Sequence, residues 1–165
     1  MFDNIYKRLT KNHVRNYFVF CLWLLLYACF FTKVIMGWTF EALGFIYLFI
    51  LFSEITIILC DVFVYFVVLK ILKVNVKFFK LYKQVVVVIL VRIIIYHVFG
   101  MLLYSFRTAV RIIDFILGIA QLVCCTYIVR KKYKMCKKKT IYFAVINLII
   151  LLLDNILLGI YKGLN

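Results

Sequence analysis

Five apolar runs, each close to or above the length that crosses a bilayer, constrain this chain more than any other feature. They lie at about 17–36, 40–69, 84–106, 108–129 and 140–161. A hydrocarbon core about 30 Å thick needs about 20 apolar residues of helix, and a spanning backbone must satisfy its own polar groups, which leaves helices and closed barrels. Barrel strands alternate apolar and polar residues over about 10 positions, and these runs do not alternate. The expected fold is therefore all-α: a polytopic transmembrane helix bundle of five spans with short interfacial amphipathic helices, one membrane domain over residues 1–165. Composition agrees, since 68% of the residues are hydrophobic where soluble domains have about half. Little chain is left over for a domain outside the membrane.

The formal charge of +15 would suit nucleic acid if the basic residues formed a folded face with stacking aromatics. They are instead gathered between the apolar runs, so no nucleic-acid partner is expected. The N-terminal segment 1–16 sets Phe2, Ile5 and Leu9 against Lys7, Arg8, Lys11 and Arg15, the pattern of a helix lying in the interface. Residues 70–83 carry Lys70, Lys73, Lys77, Lys80 and Lys83 at steps of three and four, with Val74, Phe78 and Leu81 on the other face. This segment reads as a second interfacial helix that contacts anionic lipid, at about 1 kcal/mol per lysine. Residues 130–139 form a third basic segment.

Those three segments hold sixteen of the 21 lysines and arginines, and with five spans they fall on one side. The positive-inside rule then puts the N-terminus in the cytoplasm, or the matrix of an organelle, and the C-terminus opposite. The expected localisation is a bacterial cytoplasmic or an organellar membrane. The N-terminus is charged and the first run lacks a small-x-small cleavage site, so no cleavable signal is expected. The six cysteines show neither a CxxC motif nor metal-ligand spacing, and they read as small apolar residues. Neither a metal nor a cofactor is expected, and the only two histidines, His13 and His97, lack the helical spacing of a haem pair.

Four of the six acids lie deep inside spans, away from their ends: Glu54, Asp61, Asp114 and Asp154. Ionisable side chains at membrane depth are costly and face a bundle interior, a partner or a water-filled path. Counting along each span from the basic anchors Lys70, Lys83, Arg130 and Lys139 sorts the polar residues by depth. Asp61, Arg92, Gln121 and Asn147 fall eight or nine residues in, about 13 Å at helical rise. Glu54, His97, Asp114 and Asp154 fall 14 to 16 residues in, about 10 Å further.

The first set is expected to be a buried structural layer in which Asp61 pairs with Arg92. The second is a candidate ion or proton layer, because three carboxyls crowded in low dielectric cannot all ionise without a cation or the imidazolium of His97. Partners seven residues apart share a helical face, as Glu54 and Asp61, Asp114 and Gln121, and Asn147 and Asp154 do. Arg92 and His97, five apart, point about 140° from each other. On the fourth span Arg107, Arg111, Asp114, Gly118, Gln121 and Cys125 make one seam. The first span adds nothing to either layer and is expected at the edge of the bundle.

Catalysis in the membrane needs a nucleophile with a base in reach. Ser53 has no G-x-S-x-G or serine–lysine setting, and Cys60 lies about 7 Å from the level of His97 by the same count. No catalytic residue is assigned. The expectation is a non-enzymatic subunit or accessory scaffold of a larger membrane complex, or alternatively a small proton- or cation-coupled transporter or channel. Its partners would be the bilayer and other membrane subunits or further copies of itself.

Overall fold

A computed structural model describes residues 12–35 and 43–163, with the side chains of His13, Val34, Ile35, Arg107 and residues 157–163 left aside. The expected interfacial helix up to residue 11 and the first residues of the second span lie outside the described residues. Among the described residues the chain folds into five long helices and no strand, as expected of an all-α membrane bundle. Helix α1 runs over His13–Phe30 and widens into a π-helical turn at Phe31–Ile35. Helices α2 (Leu43–Ile71), α3 (Phe78–Leu102), α4 (Arg107–Tyr133) and α5 (Lys137–Gly163) follow.

Each helix contains a stretch long and apolar enough to cross a membrane. The runs include four consecutive valines, Val85–Val88, which are indifferent helix formers in water. In hydrocarbon a helix is the arrangement that pairs the backbone of a single segment, so that weak preference is overridden. Large apolar side chains cover the outside: Phe45, Phe49, Phe52 and Phe63 on α2, and Ile112, Ile116 and Val123 on α4, are all exposed. A contiguous apolar surface of this extent belongs to a protein solvated by lipid. These features fit an integral membrane protein.

The packing closes a ring. Helix α2 packs on α3, α3 on α4, α4 on α5, and α5 returns to α2, while α1 docks against both α2 and α3. The core is correspondingly richest along α3, where Leu81, Val85, Val86, Ile89, Leu90 and Ile93 are buried. Helix α1 contributes Phe20, Leu24 and Ala28 to the interior. It lies outside the ring of the other four helices, in the groove between α2 and α3, which is the edge position expected of it, and it still buries this one face.

Residues 70–83 do not form a separate interfacial helix. Helix α2 continues to Ile71, and the chain turns in a Schellman motif, with Val74 N–H donating to Leu69 O at 2.9 Å and Lys73 N–H to Lys70 O at 2.9 Å. Lys73 takes the left-handed conformation there, with φ 55°. The turn sends Val76 and Leu81 into the core, and α3 starts at Phe78, six residues before the expected third span. The five lysines, all exposed, are thus split between the end of α2, the turn and the first turns of α3.

Helix α4 ends in the same way at Lys134, φ 49°, with Met135 N–H donating to Arg130 O at 3.1 Å. Arg130, Lys131 and Lys132 in its last turn complement the helix dipole, whereas Lys137, Lys138 and Lys139 at the start of α5 oppose it. Lys139 Nζ donates to Lys73 O at 3.4 Å, which places the two basic connections at the same end of the bundle.

Candidate functional site

Polar side chains from α2, α3, α4 and α5 meet in a cavity of about 410 Å³ inside the ring. Its centre is Arg92 of α3. The guanidinium donates from Nη2 to Asp114 Oδ1 at 2.8 Å and from Nη1 to Gln121 Oε1 at 3.3 Å, and it stands 3.7 Å from Asp61 Oδ2. Asp114 and Gln121 are seven residues apart on α4, so one helical face offers Arg92 a carboxylate and an amide oxygen together. The Gln121 amide nitrogen donates to Asp61 Oδ2 at 2.9 Å and to the Tyr65 hydroxyl at 3.1 Å. Gln121 is therefore the bridge between α2 and α4, and Asp61 holds Arg92 partly through it.

Asn147 and Asp154 of α5 line the same cavity. The Asn147 amide nitrogen donates to Phe143 O at 2.8 Å, which leaves its buried Oδ1 without a hydrogen-bond partner. Asp154 is exposed and joins no ion pair among the described residues. Three carboxylates thus share a cavity with one guanidinium. The wall also includes Ile57 and Cys60 of α2 and Ile150 of α5, all exposed, so the cavity opens on the flank between α2 and α5. Toward the basic end the same seam is closed by Tyr65 and Phe143, whose ring centroids are 5.7 Å apart. Gly118 of α4 lets α5 come close, since a Cβ there would stand 3.0 Å from a Leu151 methyl.

The remaining pair lies elsewhere. His97 Nε2 and Glu54 Oε1 are 3.0 Å apart between α3 and α2. The imidazole is stacked on Tyr27 of α1, with centroids at 4.0 Å and planes within 9°. These residues border a second cavity, also about 410 Å³, whose walls are largely aromatic.

The two expected layers are consequently regrouped. Asp61, Arg92 and Gln121 come together, with Asn147 on the same cavity. The outer set of Glu54, His97, Asp114 and Asp154 divides, since Asp114 and Asp154 join the Arg92 cavity while Glu54 and His97 pair with each other against α1. The nearest carboxylate to Arg92 is Asp114 rather than Asp61. Position along a helix fixes only the level of a Cα, whereas the long arginine stem carries its charge between levels. Arg92 and His97 do point apart, and each meets a different neighbour. Within the seam on α4, Asp114, Gly118 and Gln121 face the cavity, Cys125 is buried beside Tyr65, and Arg111 is exposed.

Tyr65 and Tyr27 were not singled out by sequence. Tyr65 had a signal, being one turn from Asp61 on the same face. Tyr27 had none, because its role depends on where α1 docks. Cys60 faces the central cavity and His97 the aromatic one, and the Ser53 hydroxyl donates to Ile50 O at 2.8 Å. Among the described residues, no group of three or more His, Cys, Asp or Glu side chains is placed to hold a metal ion. The chain matches no protein-family model, no curated protein and no solved structure.

Proposed function

We propose that the chain is a non-enzymatic subunit of a membrane complex, and that the open flank between α2 and α5 seats a transmembrane helix of another subunit. The observation that carries this reading is Asp154, an acid on the rim of a cavity opening sideways from the bundle. The one guanidinium there is already shared by Asp61 and Asp114. A carboxylate at that position needs a donor or a cation, and a neighbouring helix bearing a lysine, arginine or amide side chain supplies one. The basic connections, held together by Lys139 and Lys73, lie on this reading at the cytoplasmic or matrix face, where Lys70, Lys73, Lys77, Lys80 and Lys83 contact anionic lipid. Native mass spectrometry of the protein purified in mild detergent tests the reading. A stoichiometric heteromeric complex is expected, with the partner lost in Asp154→Leu. A lone monomer from the wild-type chain overturns it.

A second reading, a proton- or cation-coupled carrier, is favoured by the buried Asn147 Oδ1, an acceptor with no donor beside an excess of carboxylates. It predicts a pH-dependent flux in proteoliposomes of the purified chain that Asp154→Asn abolishes.

A further inference from the structure

The basic end of the bundle gathers charge that its own connections do not balance. Residues 70–83 and 130–139 carry twelve lysines and arginines and no acid. The nearest acid along the chain, Asp61, lies nine residues before Lys70 and is engaged by Arg92 and Gln121. Lys139 ties the two connections together through its hydrogen bond to Lys73 O. Lys73 N–H in turn donates to Lys70 O, and Lys138 precedes Lys139. Four cationic side chains therefore issue from backbone gathered about one contact, and all but that of Lys139 are exposed. The first turn of α5 adds to the excess, since Lys137, Lys138 and Lys139 stand at the positive end of the helix dipole with no acid there.

Aromatic contacts set the level of this charge. The ammonium of Lys70 lies 5.5 Å from the centroid of the Phe66 ring, that of Lys131 5.8 Å from Tyr127 and that of Lys138 5.9 Å from Tyr142. Each ring is one turn deeper in its helix than the lysine above it, so on α2, α4 and α5 the ammonium folds back toward the hydrocarbon instead of reaching out into water. Aromatic rings at the ends of spans mark the head-group level. An anion that meets these lysines at that level is a lipid head group. Its valence follows from the clustering. Ammonium groups closer than a Debye length, about 8 Å, repel one another. An anion with several charges on one scaffold engages them for the ordering of one molecule, whereas single charges must each be ordered separately.

Taking this end, as above, to be the face that meets anionic lipid, we propose that the junction of the two basic connections, at Lys70, Lys73, Lys138 and Lys139, binds a lipid bearing two or more phosphate groups, of the cardiolipin or phosphoinositide kind. The test places the full chain in phosphatidylcholine nanodiscs doped, at equal total negative charge, with phosphatidylserine, cardiolipin or phosphatidylinositol bisphosphate, and measures the lipid bound to the chain by native mass spectrometry. Cardiolipin or the bisphosphate is expected to bind about tenfold tighter than phosphatidylserine, the worth of one or two further lysine contacts, and whichever does so identifies the source. The triple variant Lys70→Gln/Lys73→Gly/Lys138→Gln removes three ammonium groups, leaves the carbonyl at position 73 to Lys139, and is expected to bring that ratio to about one. Lys77→Gln/Lys80→Gln/Lys83→Gln removes as many charges from the start of α3 and is expected to keep the ratio while lowering the binding of every anionic lipid. A preference that survives the first triple variant, or is lost equally in both, overturns the proposal. Enrichment of all three anionic lipids alike by the wild-type chain also overturns it and leaves the general lipid contact standing, whereas no enrichment of any anionic lipid overturns both.

Discussion

Replacing Arg92 with methionine keeps a long apolar stem and removes the guanidinium. Asp114 then loses a charge-assisted hydrogen bond of 2.8 Å, Asp61 an ion pair at 3.7 Å, and Gln121 Oε1 its donor at 3.3 Å. At an effective dielectric of about 20, unit charges about 4 Å apart interact by about 4 kcal/mol. Breaking one partner of a fully buried pair costs about 3–5 kcal/mol. Here the side chains of Arg92, Asp61 and Asp114 are 20%, 29% and 38% exposed, and water in the cavity screens part of the loss. The expected destabilisation is about 2–3 kcal/mol.

The assay is unfolding in mixed detergent and dodecyl sulfate micelles followed by circular dichroism, run as two double-mutant cycles. Arg92→Met with Asp114→Leu is expected to show a coupling of about 2 kcal/mol. Arg92→Met with Asp61→Leu should show about half of that, because Asp61 stands further off and keeps the hydrogen bond from Gln121. A coupling to Asp114 below about 0.5 kcal/mol, or one smaller than that to Asp61, would mean that Asp114 is not the main partner of Arg92.

Lys73 and Lys134 hold the left-handed backbone at φ 55° and 49°, so Lys73→Gly and Lys134→Gly are each expected to raise stability by about 1 kcal/mol in the same assay. Gly118→Leu, placed 3.0 Å from Leu151, is expected to push α5 off α4 at a cost of about 1–3 kcal/mol. Gly118→Ala should cost far less, since only a flexible leucine tip must move. Joint replacement of Lys77, Lys80 and Lys83 by alanine is expected to weaken retention of phosphatidylserine through purification, by about 1 kcal/mol per lysine, as measured by lipid mass spectrometry.

The five helices were legible in sequence because hydrocarbon leaves a long apolar segment one way to satisfy its backbone. The polar residues were legible for the converse reason: Glu54, Asp61, Arg92, His97, Asp114 and Asp154 are each too costly in lipid to be incidental. Their grouping was not. Whether Arg92 meets Asp61 or Asp114 depends on the rotation and tilt of three helices and on the reach of one flexible stem, none of which residue counting includes. The stacking of Tyr27 on His97 follows from the docking of α1, and an apolar helix in lipid has no outward sign of which neighbour it chooses. The turn at Lys73 was hidden because the left-handed position, usually glycine, is held by a lysine in a basic segment, where periodicity reads as a continuing helix.

The seat for a partner helix between α2 and α5 is tested most directly by photocrosslinking from benzoylphenylalanine placed at Ile150, on the wall of the opening, with Ile112 on the outer face of α4 as control. An abundant crosslink to a second membrane protein is expected from position 150, dependent on Asp154 and absent from position 112. Equal crosslinking from both positions, or none from position 150 in native membranes, contradicts it.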